Sequence, residues 1–155
     1  MSEIRRIDDQ LFRMFEGEAW LGPSLLANLW GVDAQTAAAR PIPDAHSIWE
    51  LVLHLTTWLN VPRLRLDLKR PIRPAPGENW PPVWDTGETA WREDRERLRQ
   101  AYRDFRALLA RLDESRLEER APGKAYPVYV LLHGIVQHLA YHSGQIALLR
   151  RAMGR

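Results

Sequence analysis

Periodicity constrains this chain more than any other feature. Four stretches repeat apolar residues every three to four positions, with Pro and Gly between them. In the first, Ile4, Ile7, Leu11, Met14 and Phe15 share a helical face, and Ser2 stands where an N-cap is preferred. Gly17 and Gly22-Pro23 interrupt it. A short piece from Ser24 to Trp30 closes at Gly31, and Asp33 caps a turn through Ala39. Arg40-Pro41-Ile42-Pro43-Asp44 is then a stiff connector.

The second long helix opens on Ser47-Ile48-Trp49-Glu50, a capping box with Ser47 at N-cap and Glu50 three residues on. Leu51, Val52, Leu55, Trp58, Leu59 and Leu64 give it a broad apolar face, and Pro62 is expected to kink or split it. The third runs from about Glu88 to Leu112; Trp91, Leu98, Phe105 and Leu112 recur every seven residues, with Tyr102 and Leu109 between them. Its other face alternates charge, as Glu93 with Arg97, and reads as solvated. The fourth begins at Pro127 as a first-turn proline and runs to about Met153, with Leu131, Ile135, His138, His142, Gln145 and Leu149 on one seam. The expected fold is all-α, a four-helix bundle in one domain over 1–155, without strands or internal repeats. A proline-rich loop over 71–86 joins helices two and three, and its Trp80 and Trp84 are expected to fold back onto the body.

Composition excludes several classes. Cysteine is absent, which removes disulfides, thiolate metal sites and a cysteine nucleophile. Lys+Arg number 22 against 20 Asp+Glu, so the basic stripe of a nucleic-acid binder is missing and no nucleic-acid partner is expected. No apolar run approaches the ~20 residues that cross a bilayer. Met1-Ser2-Glu3-Ile4-Arg5-Arg6 leads into no apolar secretory segment, so a cytoplasmic protein with no membrane partner is the expectation.

Three of the five histidines fall between His133 and His142. His138 and His142 are four apart, so both project from one helical face, a spacing that lets two imidazoles share a metal ion. Both replace apolar residues on the buried seam, where ring nitrogens need partners. His54, in line with Leu51 and Trp58 on helix two, is the third candidate. If helices two and four face each other, His54, His138 and His142 converge, and three neutral nitrogens leave a fourth position for water or substrate. Each histidine taken alone is equally at home as a packed residue bonded to a carbonyl or carboxylate. Imidazoles suit Zn, Ni, Fe or Cu. The segment His138-Leu139-Ala140-Tyr141-His142 lacks the glutamate of the zinc-protease motif, and no G-x-S-x-G, P-loop or G-x-G-x-x-G is present. His133 is five residues before His138, about 140° away around the helix, and reads as structural, as does His46 before the capping box. Glu50, one turn before His54, is a candidate to orient it, although its capping role is the stronger reading. Tyr141 and Gln145 flank the pair as candidate substrate contacts, and Trp20, Trp49 and Trp58 offer either an aromatic wall or ordinary core.

Ser47-Ile48-Trp49-Glu50-Leu51-Val52-Leu53-His54-Leu55, with Trp58 after it, resembles the second helix of the DinB-like (YfiT-like) metalloenzyme superfamily. His138-Leu139-Ala140-Tyr141-His142-Ser143-Gly144-Gln145-Ile146 resembles that family's H-x-x-x-H-x-G-Q motif, and Glu16-Gly17-Glu18-Ala19-Trp20-Leu21-Gly22-Pro23-Ser24 resembles the segment many members carry after the first helix. The resemblance implies a four-helix bundle, often a homodimer. It implies a divalent metal, commonly Ni or Zn with Fe or Mn as further options, held by His54, His138 and His142. Relatives of this kind include transferases and isomerases that use a low-molecular-weight thiol, such as bacillithiol or mycothiol; many others are described as metal-dependent hydrolases. The family name carries no evidence for DNA binding, and Pro62 and the 71–82 loop match no family motif.

The expected function is therefore a metalloenzyme acting on a small molecule, either transferring an external thiol co-substrate or hydrolysing with water. No catalytic side chain is assigned. The competing reading is a non-catalytic metal-binding or interaction bundle; four protein ligands would favour that structural role.

Overall fold

Ser2, Ser24, Asp33 and Ser47 each open a helix by accepting the backbone N–H of the third residue on, those of Arg5, Ala27, Thr36 and Glu50. The computed structural model describes residues 1–154. The helices are α1 (Glu3–Phe15), α2 (Leu25–Leu29), α3 (Ala34–Ala38), α4 (Ile48–Leu68), α5 (Glu88–Arg111) and α6 (Val128–Ala152), with a 3-10 turn at Glu114–Glu118 before α6. Strand pairing among the described residues is limited to two isolated bridges, Ala19 with Gly22 and Arg120 with Pro127. None of the helices described is long and apolar enough to cross a membrane.

Four of these helices are long, and the expectation of a strict four-helix bundle is corrected by the two short ones. Gly22-Pro23 and Gly31 punctuate the chain too closely for a long helix, yet Ser24 and Asp33 supply caps, so α2 and α3 form as single turns. Gly31 adopts φ 71° between them, a conformation that favours glycine.

Two further expectations are corrected. Of the kink or split expected at Pro62, the split does not occur: α4 runs continuously from Ile48 to Leu68. Proline removes one intrahelical hydrogen bond, at about 3 kcal/mol, but Leu59, Val61 and Leu66 are buried on both sides of it and keep the helix in register. Pro127 is the N-cap of α6 rather than its first residue, with extended backbone at ψ 167°.

α4 packs against both α5 and α6, and α1 against α5 and α6, so the four long helices enclose one core. The seven-residue seam of α5 is buried as its pattern demands: Trp91, Leu98 and Phe105 are inaccessible. Trp91 packs on Trp49 of α4 with ring centroids 5.1 Å apart, and its Nε1 donates to the Val32 carbonyl at 2.8 Å. Trp49 Nε1 donates to Asp94 at 2.8 Å, so neither buried indole leaves a donor unpaired. Phe15 of α1 stacks on Tyr102 of α5 at 3.8 Å, and Asp8 binds Arg106 through both carboxylate oxygens at 2.7 and 2.8 Å. On the outer face of α5, Arg97 meets Glu93 and Arg103 meets Glu96, all exposed.

Trp91→Ala removes a fully buried ring and the bond that ties the α2–α3 segment to α5. The expected cost is about 3–5 kcal/mol, read as a fall of roughly 10 °C in the circular-dichroism melting temperature. An unchanged melt would contradict this packing.

Candidate metal centre

The α4–α6 contact positions the site. The capping box fixes the start of α4: Ser47 and Glu50 exchange hydrogen bonds at 3.2 and 2.8 Å, and His54 follows one turn later on the buried face. α6 supplies His138 and His142 from successive turns. The short α2 steadies α6 beside them, because Asn28 Nδ2 donates to Ser143 Oγ at 2.9 Å and Arg150 returns to the Asn28 carbonyl at 2.8 Å.

The three rings meet at Nε2. His54 Nε2 lies 3.1 Å from His138 Nε2, and His142 Nε2 lies 3.0 Å from it. His54 and His142 are buried and His138 is half-buried. Each outer ring has its other nitrogen engaged: His54 Nδ1 donates to the Asn79 carbonyl at 2.5 Å, and His142 Nδ1 to Gln145 Oε1 at 2.6 Å. A carbonyl oxygen only accepts, so these bonds place the ring proton on Nδ1 and leave both Nε2 atoms as bare lone pairs. Both lone pairs point at His138 Nε2, which has at most one proton to offer.

A cation resolves that conflict, and the donor set fits one. Neutral imidazole nitrogens are ligands a zinc- or nickel-type ion takes, and here three ligand atoms lie within 4.8 Å of one another. Among the described residues, the His, Cys, Asp and Glu side chains that gather in this way are His54, His138 and His142, without a carboxylate. Three such ligands are one fewer than the four protein ligands of a closed structural zinc site.

Electrostatics favours the neutral rings a metal requires. Burial, then His142 and His54, hold His138 down to about 4. Burial likewise lowers His54 and His142, against the opposing bonds to Asn79 and Gln145.

The 71–86 loop covers α4 at this point. His54, Thr57 and Trp58 bind two consecutive loop residues: Thr57 Oγ1 donates to the Glu78 carbonyl at 2.9 Å, and Trp58 Nε1 to Asn79 Oδ1 at 2.8 Å. Trp80 then stacks on His54 at 3.8 Å and on His46 at 3.6 Å, a three-ring sandwich with planes within 8°. Trp80 folds back as expected, whereas Trp84 stays 90% exposed. Sequence reasoning missed Asn79 and the stacking of Trp80 between His54 and His46. The available signal was Thr57 and Trp58, polar groups at the edge of an apolar face that needed partners.

The remaining sequence candidates scatter. Trp58 stands beside the centre, 6.2 Å from His54 and 6.0 Å from His138 by ring centroid. Tyr141 is exposed, edge-on to His142 at 5.0 Å. Glu50 spends its carboxylate on the Ser47 N–H and on Arg40, with His46 at 3.7 Å; the Asn79 carbonyl, not Glu50, is bound to His54. Trp20 is fully exposed in a recess formed with α1 and α6, among residues such as Met14, Val136 and Ala140. Trp49 is core. His133 binds Glu3 at 2.9 Å, away from the site.

Comparison with protein families matches residues 23–146 to the DinB superfamily. No curated protein and no solved structure matches the chain.

The depressed His138 value makes a prediction for the metal-free protein. An unfolded histidine titrates near about 6.5, so between that value and about 4 the unfolded chain takes up a proton that the folded one refuses. Stability therefore falls as pH drops through this window. Urea midpoints should be lower at pH 5 than at pH 7 (about 1.5 units below and about 0.5 above the unfolded value), with a smaller drop in His138→Gln. An equal drop in both proteins would contradict it.

Proposed function

The chain belongs to the DinB superfamily, and from that premise we propose that it is a metalloenzyme whose divalent ion is held by His54, His138 and His142. The observation that carries this reading is the convergence of three Nε2 atoms at 3.0 and 3.1 Å with their outer rings held as Nδ1–H tautomers. Nickel or zinc is the proposed ion, by likeness to the family. When bound, such an ion supplies Lewis acidity and lowers the pKa of a water or thiol brought to its free position.

The chain's own residues prepare that chemistry. Asn79 and Gln145 orient the ligand rings, as carbonyl partners do for metal-binding histidines. Trp58 and Trp80 give the centre apolar walls that keep water from the back of the rings. The protein has no cysteine, so in a thiol-transfer reaction the thiol arrives as co-substrate. The proposed reaction is either transfer of a low-molecular-weight thiol or hydrolysis, on a small molecule. Three ligands without a fourth favour this reading over a purely structural ion. The proposal extends to one domain over 1–155, a cytoplasmic setting with no nucleic-acid partner, and a homodimer to which the exposed Trp20 and Leu21 offer apolar surface.

Metal content by mass spectrometry on tag-free protein tests the reading. Wild type should carry about one nickel or zinc ion per chain, and the His138→Ala/His142→Ala variant should lose it while keeping its helical circular-dichroism spectrum. Wild type that takes up no metal after incubation with Zn and Ni would overturn the metalloenzyme. A chain that unfolds on chelation would make the ion structural.

A further inference from the structure

Beside Trp58, the loop after α4 and the loop before α6 flank a cavity of about 320 Å³. Its walls include Arg65, Arg73 and Lys124 together with Trp58. The approach of the two loops depends on Gly123: its φ is +73°, and a Cβ there would lie 2.8 Å from Pro71.

The charge in this recess is unbalanced. Arg65 is only 3% exposed, at the end of α4. Its Nε donates to the Ile72 carbonyl at 2.7 Å, while its Nη1 is buried with no hydrogen-bond partner. A guanidinium has five N–H donors, and one left unpaired inside a protein is costly. Nearby, Arg63 and Arg111 share Asp67. Among the described residues no carboxylate comes within ion-pair reach of Arg65, Arg73 or Lys124; Lys124 instead lies over the Tyr126 ring at 5.9 Å. Burial, Arg65 and Arg73 together push the Lys124 ammonium below its ordinary value, and burial and Arg73 lower Arg65 against an opposing effect of Tyr126. Three cations gathered with no anion, one of them buried and under-bonded, form a site whose missing component is negative.

We propose that this recess is an anion subsite in which Arg65, Arg73 and Lys124 receive a dianionic oxyanion group, a phosphate or a dicarboxylate, carried by a small molecule. Three cations match two negative charges better than one, and the cavity volume suits such a group rather than a polymer. Trp58 lines the recess and also stands 6.0 Å from His138, so one molecule can place its anionic end here and its reacting end at the histidines. That last step, from anion site to substrate class, rests on the metalloenzyme reading; the anion site itself does not.

Isothermal titration of metal-stripped, tag-free protein with inorganic phosphate, and separately with succinate, in a low-salt buffer tests it. Wild type should bind at least one of the two saturably. Arg73→Ala/Lys124→Ala should weaken that binding on the order of tenfold or more, while Lys124→Arg, which keeps the charge, should retain it. The His138→Ala/His142→Ala variant should bind as wild type does. Which probe binds distinguishes the phosphate from the dicarboxylate. No saturable binding of either probe overturns the subsite, and so does binding that survives Arg73→Ala/Lys124→Ala or disappears with the histidines. Anion binding in a protein that takes up no metal would leave the subsite standing and remove the metalloenzyme; the reverse result would do the opposite.

Discussion

Two imidazole lone pairs, on His54 and His142 Nε2, lie 3.1 and 3.0 Å from a His138 Nε2 that has at most one proton for the pair, and much of this molecule is arranged to hold them there. The Asn79 carbonyl turns His54, Gln145 turns His142, and burial keeps His138 neutral. Without a cation the arrangement is a cost that an apolar core would avoid. With one, the same three rings become an open coordination set. Local features of the fold gain their meaning from this point. The capping box sets the register of α4, the Asn28–Ser143 bond that of α6, and the docked loop closes over His54.

The surrounding bundle makes such a cluster affordable. Trp49, Trp91, Phe15 and Phe105 are buried and supply large apolar burial in the same core. α4 tolerates Pro62 because the residues on both sides of it are in the core. Its two halves then do different work: the first presents His54 and Trp58 to the centre, and the last turn presents Arg65 to the basic recess. Trp58 is the common wall. The chemistry of the molecule is thereby gathered along one side of one helix, against α6 and two proline-containing loops.

The fold was legible where periodicity and capping carry it. Ser2, Ser24, Asp33 and Ser47 all cap helices, and the Trp91–Leu98–Phe105 seam is buried. The corrections arose where local and tertiary terms compete: at Pro62 packing keeps α4 continuous, and the short pieces expected after Ser24 and Asp33 form as helices of their own, so the count exceeds four. The gathering of His54 with His138 and His142 was legible from spacing and seam position, since period and face determine which side chains meet. Its supports were not. Asn79 acts through a backbone carbonyl, which no side-chain pattern reports, and Trp80 and His46 meet only because a loop folds back across α4. Arg65 reads in the sequence as one more helical arginine; its burial and missing partner are properties of the tertiary structure.

Long-range proton–nitrogen NMR of the imidazoles, recorded before and after one equivalent of zinc is added, tests the central claim most directly. The account predicts Nδ1–H tautomers for His54 and His142 in the metal-free protein. On adding zinc, the Nε2 resonances of His54, His138 and His142 should move together, with His133 unmoved. A response confined to one or two of these rings, or one arising at His46 or His133, would contradict a three-histidine centre.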